Sequence, residues 1–141
     1  MRALVVFFDP VGARWEWALK VGFRHVFCVL ESGDSWIMID ARDGRPVVEV
    51  VASSCFDLQG FYEEQGYSVI EMERPDRPLR SPVVTVNCVG LVCAHLCIRA
   101  PFAFTPWQLF KHLKKEAAHA LTRFQQQPTS SPRSTTAGRT A

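Results

Sequence analysis

Cys88, His25 and Asp40 are the residues of this chain whose types could carry out acyl-transfer chemistry together. Cys88 lies in the stretch Asn87-Cys88-Val89-Gly90-Leu91-Val92. The run before it, Pro82-Val83-Val84-Thr85-Val86, is β-branched and reads as a strand, while Cys88 to Ile98 has no proline and an apolar face at helical spacing. Asn87 then stands as the N-cap, and Cys88 falls in the first helical turn. A thiol there faces unpaired backbone N–H groups and the positive end of the helix dipole, which favour thiolate over thiol. The thiolate is the nucleophilic form. Position alone leaves open the other common fate of a cysteine, burial as a small apolar side chain.

A cysteine nucleophile needs a histidine held by a third polar group. Val21 to Leu30 and Trp36 to Ala41 read as two strands separated by Glu31-Ser32-Gly33-Asp34-Ser35, a composition typical of a hairpin turn. A hairpin centred between Ser32 and Gly33 sets Leu30 opposite Ser35, Cys28 opposite Ile37 and His25 opposite Asp40. Phe27 with Met38 and Val29 with Trp36 then form an apolar floor on the same face. In this register Asp40 orients the imidazole and stabilises its protonated form, as the third member of a triad does. Asp43, in the turn Arg42-Asp43-Gly44-Arg45, is the alternative for the third position, although turn aspartates more often bond the local backbone.

These residues carry a resemblance. Asn87-Cys88-Val89-Gly90-Leu91-Val92 is similar to the D-C-S-G-L-V that opens the nucleophile helix of papain-like cysteine hydrolases of the NlpC type, the cell-wall endopeptidases. His25-Val26 and Ile37-Met38-Ile39-Asp40-Ala41 resemble that family's H-V-G-I-Y strand and the following strand that carries the third polar residue. Here histidine precedes cysteine, the order of the circularly permuted branch. Gly22-Phe23-Arg24-His25 and Thr105-Pro106-Trp107-Gln108-Leu109 are similar to a group of short proteins encoded by tailed phages. Asn87 and Val89 stand where the family has Asp and Ser, which makes the nucleophile's surroundings less polar. The resemblance covers roughly residues 20 to 113. It implies an α+β, papain-like fold of permuted NlpC type, with an antiparallel sheet packed against the nucleophile helix and a second C-terminal helix. It also implies a peptidase or amidase in which Cys88 attacks, His25 carries the proton and Asp40 orients His25. Asn87 and the backbone N–H of Cys88 serve in positioning and at the oxyanion. The substrate implied is a peptide, amide or ester, cell-wall peptide bonds included. The implied alternative is an inactive papain-like domain serving in a phage particle, with other phage structural proteins as partners.

The elements around these residues follow from local pattern. Ala3 to Phe8 is an apolar run before Asp9-Pro10, too short for a signal peptide's core or a membrane span, and reads as a first strand. Pro10 to Lys20 reads as irregular, with Trp15 and Trp17 as core residues or walls of a substrate groove. Pro46 to Ala52 is a further strand, giving a three-stranded meander. A short surface helix opens at Ser53-Ser54-Cys55-Phe56-Asp57, with Ser54 and Asp57 spaced as a capping box and Gly66 at its end. Glu63 and Glu64 diverge on that helix and read as solvated charges. Tyr67 to Glu73 is a strand, and Arg74-Pro75-Asp76-Arg77-Pro78 a stiff connection. Thr105-Pro106-Trp107-Gln108 starts the last helix with Thr as N-cap, Pro at N1 and Gln at N3. Trp107, Phe110, Leu113, Ala117 and Leu121 form its packing stripe.

Composition bounds the remaining possibilities. The length fits one domain, residues 1–124, followed by a polar Pro/Ser/Thr-rich tail, 125–141, that reads as disordered. The formal net charge of +2 is matched by the tail's Arg133 and Arg139, so the folded part is near neutral and no nucleic-acid surface is expected. Five cysteines at irregular spacing point to a reducing compartment rather than a secreted disulfide framework, so a cytoplasmic or virion-associated protein is expected, away from membranes. Cys93, His95 and Cys97 do not converge with Cys88 as zinc ligands, and no cofactor motif is present, so no metal or cofactor is expected.

Overall fold

The computed structural model describes residues 1–12, 18–75 and 87–125. Trp15, Trp17, the expected strand 82–86 and the tail beyond 125 lie outside the described residues. The fold is α+β. Strands β1 (Arg2–Phe8), β2 (His25–Ser32), β3 (Ser35–Arg42) and β4 (Arg45–Ser53) are followed by helix α1 (Leu58–Glu64), strand β5 (Ser68–Glu73) and helices α2 (Cys88–Leu96) and α3 (Pro106–Gln125). The strands form one sheet in the order β4-β3-β2-β1-β5, and every pairing is antiparallel.

The continuous apolar run of β1 has a simple cause. Ala3 to Phe7 are fully buried because both faces of the sheet are covered there. On one face Ala3, Val5, Phe7, Val26, Cys28 and Ile39 pack against Val89, Val92 and Leu96 of α2 and Leu109 of α3. On the other, Leu4, Val6, Phe27, Val29, Trp36 and Met38 pack against Leu58 and Tyr62 of α1. The short helix α1 therefore closes a second, smaller core.

Turn chemistry sets the registers. Asp43 and Gly44 both take positive φ, 52° and 73°, the requirement of a two-residue I′ turn, and Arg42 pairs with Arg45 across it. At the preceding hairpin Gly33 takes φ 58° at the first central position and Ser32 pairs with Ser35. Gly33-Asp34 is thus the loop, and Cys28 faces Ile39 rather than Ile37. The register differs by two residues from that expected, because only glycine accommodates the positive φ cheaply at that position. A two-residue shift leaves each side chain on its expected face, whereas a one-residue shift would have reversed them all.

Other boundaries moved for equally local reasons. β2 begins at His25 instead of Val21, since Gly22 takes φ 83° and a turn closes from Phe23 N–H to the Lys20 carbonyl at 2.9 Å. α1 is capped by Asp57, whose Oδ1 accepts from the Gly60 N–H at 3.0 Å, and not by Ser54. α3 starts with the expected reciprocal cap: Thr105 Oγ1 accepts from the Gln108 N–H at 3.3 Å and Gln108 Oε1 accepts from the Thr105 N–H at 3.0 Å. Its packing stripe is shorter than expected, however. Leu109 and Leu113 are buried, while Ala117 and Leu121 are exposed, because α3 runs on past the edge of the core.

Leu109→Ala should therefore cost about 2–5 kcal/mol of unfolding free energy, the range for emptying a closed apolar site. Leu121→Ala should stay within about 0.5 kcal/mol. Denaturant unfolding of the two variants measures both.

Candidate active site

Asn87 has extended backbone and caps α2, its Oδ1 accepting from the Gly90 N–H at 2.8 Å. Its Nδ2 donates to the Phe104 carbonyl at 3.4 Å, tying the start of α2 to the loop before α3. Cys88 is consequently the first helical residue, half-buried against the larger core. Its backbone N–H lies among the first-turn donors that the helix ladder does not use.

His25 opens β2 and is set from both sides. Its ring meets that of Phe8 edge-on, with centroids 5.4 Å apart. The turn that delivers it is held by Asp9, whose carboxylate accepts from the Gly22 N–H at 2.8 Å and from the Arg24 N–H at 3.3 Å. Asp9 was not singled out from sequence, because its partners are more than a dozen residues away and only the fold brings them to it.

His25 Nε2 and Asp40 Oδ1 are 2.6 Å apart. They are not the directly opposed pair expected from the hairpin. The β2–β3 ladder ends at Cys28 and Ile39, and continuing it would set Phe27 opposite Asp40 and His25 one diagonal step away. Diagonal neighbours on one face are within reach of long side chains, and imidazole and carboxylate close the gap here. Cys88 lies close enough to His25 to favour its protonated ring. Side chains from β2 and β3 thus form a hydrogen-bonded pair, with Cys88 at the start of α2 in its neighbourhood. Asp43 stays in its turn, and Arg42 donates from Nε to the second oxygen of Asp40 at 3.1 Å. The signal for Arg42 was available in sequence: alternate residues of a strand share a face, and Arg42 is two residues from Asp40.

The electrostatics are those of a buried charge pair at the sheet's end. Burial disfavours the charged imidazole, but the hydrogen bond to Asp40, the nearness of Cys88 and the negative charge of Asp40 outweigh it and push His25 up to about 9. Burial likewise opposes the Asp40 carboxylate, and the bonds from His25 and Arg42 overcome it and hold Asp40 below the usual range. Burial pushes Cys28 up to about 12 and Cys93 up to about 11, so both remain thiols at neutral pH. His95 is occupied locally, its Nδ1 lying 2.9 Å from the Leu91 carbonyl. Gln108 is held in its cap. Among the described residues no cluster of three His, Cys, Asp or Glu side chains could hold a metal ion.

Fold and site together define an α+β protein with a cysteine at a helix start, in the neighbourhood of a histidine that a buried aspartate holds. No family model, curated protein or solved structure matches the chain. Among the described residues no helix is long and apolar enough to cross a membrane.

Folding raises His25 from its ordinary 6.5 to about 9, so the stability it contributes is complete below about pH 6.5 and disappears as pH climbs through about 9. After screening at this partly exposed site the loss should be on the order of 2 kcal/mol. Thermal melts between pH 6 and 9.5 should show that decline, and His25→Ala should flatten the slope across the window.

Proposed function

We propose that the protein is a papain-like cysteine hydrolase of the permuted NlpC type, a phage-related peptidase or amidase. The observation that supports it is the 2.6 Å contact between His25 and the buried Asp40, with Cys88 at the start of a separate helix near enough to favour the protonated imidazole. A core cysteine needs no such partner, and a structural histidine needs no buried carboxylate.

In this reading the Cys88 sulfur, as thiolate beside protonated His25, adds to the carbonyl carbon of an amide or peptide bond. The oxygen becomes an oxyanion facing the Cys88 backbone N–H at the start of α2. His25 gives its proton to the leaving nitrogen, the C–N bond breaks, and the acyl group remains on sulfur as a thioester. Water then attacks that carbon, His25 takes a water proton, and the C–S bond breaks to release the acid. The sulfur leaves as thiolate while His25 keeps the water proton, so the starting thiolate and imidazolium are restored. Asp40 keeps the ring oriented and stabilises its charged form without itself taking the proton. Asn87 acts by position, since both ends of its amide are held by the cap and by the Phe104 carbonyl. The resemblance implies cell-wall peptide bonds as one substrate class.

Alkylation by iodoacetamide at neutral pH, with the modified residue identified by mass spectrometry, tests the reading. Cys88 should react at least about tenfold faster than free cysteine, and His25→Ala should slow it by a similar factor. Hydrolysis of a peptide or activated ester should vanish in Cys88→Ser. A Cys88 that reacts like free cysteine and a protein without hydrolysis would sink the enzyme reading in favour of an inactive domain in a phage particle.

A further inference from the structure

We infer that Arg42 is a positioning residue for this site, fixing the Asp40 carboxylate so that one of its oxygens stays aimed at His25. The inference rests on the hydrolase reading for its functional meaning, although the contact itself stands without it. A carboxylate is attached through a broad, nearly two-fold torsion, so one hydrogen bond to a mobile imidazole does not lock it. Asp40 has two different partners. Oδ1 lies 2.6 Å from His25 Nε2 and Oδ2 accepts from Arg42 Nε at 3.1 Å, so rotation of the carboxylate would break both contacts.

Arg42 is itself held. It pairs with Arg45 across the tight Asp43-Gly44 turn, and its Nη2 lies 3.8 Å from Glu49 Oε2 on β4. A guanidinium can serve both acids because Nε and the terminal nitrogens point in fixed, different directions, which a lysine ammonium on its flexible stem does not reproduce. The two contacts differ in weight. Asp40 is buried at 7% side-chain exposure, whereas Glu49 is 50% exposed, so the link to Asp40 dominates and the link to Glu49 is a loose tether. The charged and titratable groups around the pair are then His25, with Cys88 beyond it, from β2 and α2, and Arg42 and Glu49 from the β3–β4 hairpin.

The test uses the full chain and the His25 ring proton bonded to Asp40, followed by NMR for its exchange with water, beside the Cys88 alkylation rate. In Arg42→Gln the proton should exchange at least about tenfold faster and alkylation should slow several-fold, the scale of losing a hydrogen bond to a charged group. Glu49→Gln should leave both within about twofold. Exchange and alkylation in Arg42→Gln within about twofold of the parent would overturn the inference. Should that variant fail to fold, Arg42→Lys decides: faster exchange supports the role of Nε, and parental exchange overturns it. Slow alkylation of the parent itself, with the ring proton still dependent on Arg42, would sink the hydrolase reading and leave the positioning contact standing. Fast parental alkylation that ignores Arg42→Gln, with unchanged exchange, would do the reverse.

Discussion

Asp40 is a carboxylate with only 5% of its surface exposed, at the end of a sheet whose other buried side chains, among the described residues, are apolar. Removing a charge from water costs several kcal/mol unless partners replace the lost hydration. His25 on one oxygen and Arg42 on the other supply that replacement, and each is itself fixed by the chain around it. The dependence runs outward from there. His25 can stay protonated beside the carboxylate only while β2 and β3 keep their register, and it can reach Cys88 only while α2 packs on Val26, Cys28 and Ile39.

That packing explains why a small domain can hold such a site. Covering both faces of the sheet, with α2 and α3 on one and α1 on the other, lets the middle residues of β1 and β2 be buried. His25 and Asp40 sit beyond the last residues that β2 and β3 pair with each other, and each is still held on its other side, opposite Phe8 and Val47. Asp9 then fixes the incoming turn through backbone N–H groups. Asn87 does the same for α2, joining its cap to the loop before α3. Polar side chains at two element starts thus hold the positions of groups that the apolar core alone would leave free to rotate.

Much of this was legible locally. The apolar run of β1, the meander with its Asp43-Gly44 turn, the Asn87 cap and the Thr105–Gln108 box depend on neighbours within a few residues, and short-range stereochemistry decides them. The hairpin between β2 and β3 shows where such reasoning stops. Its existence follows from composition, but its register depends on which residues take the two loop positions, and the positive φ of Gly33 moved the pairing by two. Likewise α1 was capped by Asp57 rather than Ser54, since two polar residues three apart compete for one role and packing of Leu58 and Tyr62 chooses between them.

The amino-acid order by itself determined the kinds of element, the faces their side chains occupy, and which three residues had suitable chemistry. It could do so because strand alternation, helix periodicity and caps are properties of adjacent residues. Only the tertiary structure decided that the imidazole bonds Asp40 across a diagonal and that Asp9 clamps the turn before it. Those contacts join segments more than a dozen residues apart, and their geometry is set by sheet register and core packing, which no local stretch of chain contains.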